Sequence, residues 1–152
     1  MMFAFAYTNS QANTVLFTNP QQPLNVSPPP TVNAFYDIDI NLSDIKLAPD
    51  TIQINFPDNS STTVAKGDFI SRGTNSYKWS GSNNDYDVVL TVHNNQLIAY
   101  ITSNTKRYGI SLLADGVSYR FYDYRLSMFP QNTELETRLT PAFAKPSAVD
   151  NT

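Results

Sequence analysis

The stretch from Tyr86 to Asp123 constrains the fold most, because its apolar and polar side chains alternate over four short segments. In Tyr86–His93 the even-numbered positions up to Val92 carry large apolar or aromatic side chains, which is typical of a half-buried β-strand. Asn94-Asn95 follows, and asparagine tolerates the positive φ angles of a two-residue hairpin turn. With these two residues as the loop, Val92 faces Leu97 and one face of the hairpin is wholly apolar. The other predicted pairs are His93 with Gln96, Leu90 with Ala99, and Val88 with Ile101.

A second hairpin is predicted around Asp115-Gly116, a favoured two-residue turn. It sets Leu113 opposite Ser118, Leu112 opposite Tyr119, and Ile110 opposite Phe121. The two hairpins together predict four sequential antiparallel strands with one apolar face, which is a plausible nucleus for a sheet.

The rest of the chain adds short strands and little helix. The remaining predicted strands are Thr14–Thr18, Ala34–Leu42, Thr51–Phe56, Thr62–Arg72 with a bulge at Gly67, and Tyr77–Ser80. Helix is limited to one turn capped by Ser43-Asp44 and a weak turn or two in Thr133–Leu139. Residues 1–130 are therefore predicted to form one all-β domain, and residues 131–152 a tail or linker. An antiparallel sandwich and a partly open barrel, each built on consecutive hairpins, both fit this strand count.

Composition excludes several classes of partner. The net charge is −3 and lysine and arginine are scattered, so no basic stripe exists to bind nucleic acid. The chain has no cysteine, which excludes disulfides and thiolate metal sites. No apolar run approaches the roughly 18 residues of a transmembrane segment. Residues 1–6 (MMFAFA) fit either the remnant of a signal peptide or a first strand.

Catalytic, cofactor and metal sites are not predicted. His93 is the only histidine and has no partner set for a triad or a zinc site. Asp37 and Asp39 share a strand face, as two carboxylates of a glycosidase would, but a solvated strand face explains them better. The sequence therefore predicts a protein that is not an enzyme.

Four aromatic residues are candidates for ligand binding. Tyr77 and Trp79 share one face of a short strand, and Tyr122 and Tyr124 lie in a tyrosine-rich segment. Such side chains could stack on a sugar or clamp a peptide, whereas a Tyr-Trp pair in a β protein is more often part of the core.

A series of short segments gives the chain a family resemblance over about half its length. In order they are Phe56-Pro57-Asp58, Trp79-Ser80-Gly81, Val88–Val92, Leu97–Ile101, Arg107–Ile110, Asp115-Gly116, and Phe129-Pro130 followed by Glu134 and Glu136. This order resembles the N-terminal propeptide-like region of bacterial secreted zinc metalloproteases of the reprolysin-like metzincin type.

The resemblance implies a secreted or periplasmic module that assists the folding of a zinc metalloprotease catalytic domain and inhibits it, in cis or in trans. The chain lacks H-E-x-x-H, so it would be the non-catalytic part. Ala65-Lys66-Gly67-Asp68 shares the Gly-Asp, but not the Phe, of an aspartate latency segment found in another metzincin branch, which makes Asp68 a possible zinc-directed or partner-contacting residue.

Two other functions fit the residues. The first is a secreted module that binds carbohydrate or another surface ligand through the aromatic residues. The second is a small closed barrel that carries an apolar ligand, which requires an internal cavity.

Overall fold

A computed structural model describes residues 13–128, which form one ten-stranded sheet. The strands are β1 Thr14–Val15, β2 Phe17–Gln21, β3 Val32–Ile40, β4 Thr51–Asn55, β5 Ser61–Ser71, β6 Tyr77–Ser82, β7 Asp87–His93, β8 Gln96–Thr102, β9 Arg107–Leu112 and β10 Tyr119–Tyr124. A short helix, α1, spans Leu42–Ile45, and a 3₁₀ helix spans Leu126–Met128. The predicted all-β class with little helix is confirmed.

The register of both predicted hairpins is confirmed. β7 and β8 pair from His93–Gln96 to Asp87–Thr102, around Asn94 and Asn95 with φ of 50° and 62°. β9 and β10 pair Leu112 with Tyr119 and Ile110 with Phe121, as predicted. The second turn is longer than predicted, because the amide of Leu113 donates to the Ser118 carbonyl at 2.8 Å and four residues lie between them. Within this loop the Asp115 carboxylate accepts hydrogen bonds from the amides of Val117 and Ser118.

The sheet nearly closes into a barrel, which decides between the two predicted architectures. β1 pairs in parallel with β4 at one edge of the sheet, and β2 pairs antiparallel with β3 at the other. Leu16 lies between β1 and β2 and is bonded to both edges. Its amide donates to the Gln53 carbonyl at 2.9 Å, and its carbonyl accepts from the Asn41 amide at 3.2 Å. The predicted single strand Thr14–Thr18 is therefore wrong, since the segment bends at Leu16 to join the two edges.

Apolar side chains fill the inside of the barrel. The largest fully buried side chains include Trp79, Phe17, Phe121 and Leu16, which all belong to one hydrophobic core cluster. Phe121 contacts Phe17 and Tyr108, with ring centroids 5.1 Å apart in each case. These side chains occupy the space in which an apolar ligand would have to lie.

Two local predictions differ in outcome. The bulge at Gly67 is confirmed by a register shift between Lys66 and Asp68 in the β5–β6 pairing. The helical turn begins at Leu42, so Asn41 precedes it and makes no side-chain capping bond; the predicted cap at Ser43-Asp44 is wrong.

Several predictions lie outside the described part of the chain. They are the signal-peptide remnant at residues 1–6, the helical turn at Thr133–Leu139, the Phe129-Pro130 segment and the tail at residues 131–152. Within residues 13–128, no helix is long and apolar enough to cross a membrane.

Candidate functional site

Three tyrosines come together on the outside of the barrel, and we call this group the tyrosine face. Tyr122 on β10 lies opposite Gly109 on β9, and Gly109 lies opposite Tyr100 on β8. Directly opposite residues in neighbouring strands project to the same side of a sheet. Tyr124 projects to that side as well, two positions after Tyr122. Tyr100, Tyr122 and Tyr124 therefore surround Gly109.

Gly109 makes room for the ring of Tyr124. A Cβ atom at position 109 would lie 2.7 Å from Cε2 of Tyr124 and 3.0 Å from its hydroxyl oxygen, so the ring extends over the glycine. The rings of Tyr122 and Tyr124 are 5.8 Å apart and within 13° of parallel. Burial raises the pKa of Tyr124, and the neighbouring Tyr100 and Tyr122 add to the rise. An aromatic ring laid over a strand glycine also protects the sheet, so Tyr124 has a structural role in any case.

Tyr100 is the most accessible member of the face. It is 51% exposed, and Ile98, two residues earlier on the same side of β8, is 50% exposed. Val89 lies directly opposite Tyr100 on β7 and is partly exposed. The tyrosine face thus continues into an apolar surface on two further strands.

On the β3 side of the tyrosine face, Tyr122 is flanked by an aromatic ring and an ion pair. Phe35 on β3 lies opposite Tyr122, with ring centroids 6.3 Å apart, and is almost completely buried although it projects outward. The guanidinium carbon of Arg120 lies 4.5 Å from the centre of the Phe35 ring. Nε of Arg120 donates to Oδ1 of Asp37 at 2.7 Å. Tyr122 therefore packs against Phe35, whose ring is in turn covered by the guanidinium that Asp37 binds.

The side chains of the tyrosine face have a chemistry that suits ligand binding. Tyrosine combines a large rigid apolar ring with a hydroxyl that donates and accepts hydrogen bonds. Within residues 13–128, no group of three or more His, Cys, Asp or Glu side chains is placed to hold a metal ion.

Two of the predicted aromatic ligand residues lie inside the barrel instead. Trp79 is completely buried, and its indole N–H donates to the Pro49 carbonyl at 2.9 Å. Tyr77 is 5% exposed and stacks on Phe69, with centroids 5.5 Å apart. Burial raises the pKa of Tyr77. The structure therefore separates Tyr77 and Trp79 from Tyr122 and Tyr124, and only the latter pair is on the outside.

Asp68 lies on the outside of β5, next to the bulge at Gly67 and opposite Ser80. It is exposed, and its carboxylate accepts a hydrogen bond from the Phe69 amide at 2.9 Å. Bulges often re-aim a side chain, which is consistent with a residue that contacts a partner.

The carboxylates of Asp37 and Asp39 line an open crevice of about 770 Å³ between β2, β3 and the loop after β9. Asp37 is paired with Arg120, and Asp39 accepts from the side-chain amide of Asn19 at 2.9 Å. His93 is exposed at a hairpin end, with Ser76 as its neighbour at 3.5 Å. Each of these polar side chains thus has a structural partner.

Sequence reasoning missed Tyr100 as a site residue. The sequence did contain the information. The predicted register turns Leu97, Ala99 and Ile101 inward, so the alternating residues Ile98 and Tyr100 must face outward. Ile98 and Tyr100 therefore project to the solvent side of β8, where both are half exposed. The pairing of β8 with β9, which places Tyr100 beside Tyr122, could not be predicted from either hairpin alone.

No protein-family model matches this chain, and no curated protein or solved structure is detectably similar to it. The resemblance to metalloprotease propeptide-like regions therefore stays a prediction.

Proposed function

We propose that this domain is a non-catalytic module that binds carbohydrate through the tyrosine face. The observation that carries the proposal is the convergence of Tyr100, Tyr122 and Tyr124 on the outside of the barrel, with Tyr100 half exposed. A sugar ring presents apolar C–H groups that pack against an aromatic ring and hydroxyls that exchange hydrogen bonds with polar neighbours. Tyrosine offers both kinds of contact, and the nearby Arg120–Asp37 pair offers further polar groups.

The size of the surface favours a small ligand over a folded protein. Each tyrosine has roughly 200 Å² of surface; Tyr100 is 51% exposed and the other two are partly buried, so the three together expose about 300 Å² or less. A stable protein interface buries roughly 800 Å² on each partner. A short saccharide matches the tyrosine face better.

The test is a glycan array followed by calorimetric titration of the saccharides that bind. We expect Tyr100→Ala and Tyr122→Ala each to weaken binding roughly tenfold or more, as truncation of a tyrosine at a binding hot spot does. The matched control is Ile70→Ala, because Ile70 is a 40% exposed apolar residue on β5, away from the tyrosine face. Binding that survives both tyrosine substitutions, or an array with no signal, would overturn the proposal.

A second candidate function is that of an exported folding aid and inhibitor of a zinc metalloprotease. It is supported by the family resemblance and by the exposed position of Asp68 beside the β5 bulge, where the carboxylate is accessible to a partner. Addition of the domain to a mature metalloprotease of the reprolysin-like type should reduce its turnover, and Asp68→Asn should reduce the inhibition. Turnover that does not change at a large excess of the domain would argue against this function.

A further inference from the structure

Arg107 is a second polar feature of the surface that carries the tyrosine face. It begins β9, lies opposite Thr102 and is two residues before Gly109, so both residues project to the outside. Two residues of strand span about 7 Å, which places Arg107 next to the ring of Tyr124 along the strand. Its Nε atom is covered from solvent and has no hydrogen-bond partner. A covered donor without an acceptor is unusual in a folded protein and requires an explanation.

The charge of Arg107 is also unmatched. The ion pairs of the described chain are Lys66–Asp50 and Arg120–Asp37, so Arg107 forms none with a carboxylate in residues 13–128. Arg120, the other arginine of strands β9 and β10, is already paired with Asp37. Arg107 as a whole is only partly buried, so part of the residue is accessible to solvent.

We propose that Arg107 binds the carboxylate of an acidic sugar, while a neighbouring sugar ring of the same saccharide stacks on the tyrosine face. This inference rests on the proposed carbohydrate-binding function and specifies its ligand class. The planar guanidinium presents paired N–H donors that match the two oxygens of a carboxylate.

The surroundings of the site limit the ligand to one acidic group rather than a polyanion. Within strands β7 to β10, Arg107 is the one cation without an ion pair, and the protein has a net charge of −3. Asp87 on β7 is exposed and lies opposite Thr102, which in turn lies opposite Arg107, so its carboxylate would repel a second anionic group. A polyuronate should therefore bind no better than a saccharide with one terminal uronic or sialic acid.

The test uses saccharides in matched pairs, each with an acidic and a neutral member. Suitable pairs are 3′-sialyllactose with lactose, and a xylo-oligosaccharide carrying one glucuronic acid with the unsubstituted xylo-oligosaccharide. We expect the acidic member to bind roughly tenfold more tightly, with the preference decreasing as salt is added. Arg107→Gln should remove the preference and leave affinity for the neutral member unchanged.

Arg72→Gln is the matched control, because Arg72 is an exposed arginine in the turn after β5. It should leave both members of each pair unaffected. Equal affinity for acidic and neutral members, or a preference that survives in Arg107→Gln, overturns this inference and leaves the carbohydrate-binding function standing. Absence of binding to both members of every pair and to the whole array overturns that function, and this inference with it.

Discussion

The hydroxyl of Tyr119 supplies a hydrogen bond that the sheet itself cannot make. The β8–β9 pairing runs from Ala99 to Thr102 on β8, so it stops short of Leu97. The amide of Leu97 donates to the Tyr119 hydroxyl at 3.0 Å instead, in a buried position. Tyr119 is 8% exposed and Leu97 is fully buried, so solvent has little access to this bond. Substitution of Tyr119 by Phe keeps the ring and removes only the acceptor.

We expect Tyr119→Phe to lower the free energy of unfolding by about 1–3 kcal/mol, the cost of a buried donor that loses its partner. For a domain of this size, each kcal/mol corresponds to roughly 4 °C in Tm. Denaturant unfolding followed by circular dichroism measures the free energy. The m value, which is the slope of the unfolding free energy against denaturant concentration, should stay unchanged, since the substitution does not alter the surface exposed on unfolding. Hydrogen exchange at the Leu97 amide should also become faster, because its protection depends on this bond.

Tyr100→Phe is the control, because it removes the hydroxyl of a tyrosine that is half exposed on the outside of the barrel. We expect it to change the free energy of unfolding by less than about 0.5 kcal/mol, as surface substitutions usually do. Equal stability of Tyr119→Phe and the wild type, with unchanged exchange at Leu97, would refute the argument that the hydroxyl completes the sheet.

Three further predictions concern two glycines, one turn carboxylate and one buried tyrosine. Gly81→Ala should lower the free energy of unfolding by about 2 kcal/mol or more, because the new methyl group meets the Ala65 carbonyl oxygen and the Trp79 ring. Gly109→Ala should lower it by less than about 1 kcal/mol, since only the end of the Tyr124 side chain must move. Equal losses for the two variants in denaturant unfolding would contradict this prediction. Hydrogen bonds from the Ser118 side chain and amide hold the pKa of Asp115 below its usual 3.8, so Asp115 stabilises the fold above that pH. Asp115→Ala should therefore lower Tm at pH 7, and the difference in Tm from the wild type should disappear as the pH falls below 3.8 through the lowered pKa. A difference in Tm that is the same at pH 2 and pH 7 would contradict this prediction. Burial raises the pKa of Tyr108 far above its usual 10, so above pH 10 the unfolded chain ionises first and stability falls. Tyr108→Phe should reduce this alkaline loss of Tm, and identical curves for variant and wild type between pH 9 and pH 11 would exclude a contribution from this tyrosine.

The two hairpins could be predicted from the sequence because their determinants are local. Alternation fixes which side chains share a face, and the Asn94-Asn95 pair fixes the offset between β7 and β8. The length of the second turn was predicted wrongly because Asp115-Gly116 suggests a two-residue loop. In the structure Asp115 instead accepts bonds from two amides within a four-residue loop.

Closure of the barrel could not be predicted, because it depends on contacts between distant parts of the chain. Leu16 joins the sheet edges through Gln53 and Asn41, and nothing in the local sequence TVLFT identifies the bend. Alternation treats this segment as one strand, whereas the twist of the sheet brings its two edges to either side of Leu16. The near-closure of the barrel therefore rests on the β1–β4 and β2–β3 pairings and on the two bonds of Leu16 between them.

The position of the aromatic residues follows from which face of each strand turns inward. Trp79 is on the inside because its strand neighbours Lys78 and Ser80 are polar, and this alternation was visible in the sequence. Tyr122 is on the outside because Phe121 faces Ile110 in the core. The predicted registers contained both facts, but the link from Tyr122 through Gly109 to Tyr100 needed the β8–β9 pairing.

Glycine and aromatic side chains are combined twice in this barrel, with opposite consequences. Gly81 lies beneath the Trp79 ring on the inside, where the pair fills the core. Gly109 lies beneath Tyr124 on the outside, where the pair covers the sheet. Packing alone accounts for Trp79 and for Tyr124. Tyr100 is half exposed, so packing constrains it less. Tyr100 is therefore the residue at which the proposed binding role can be tested separately from a role in stability.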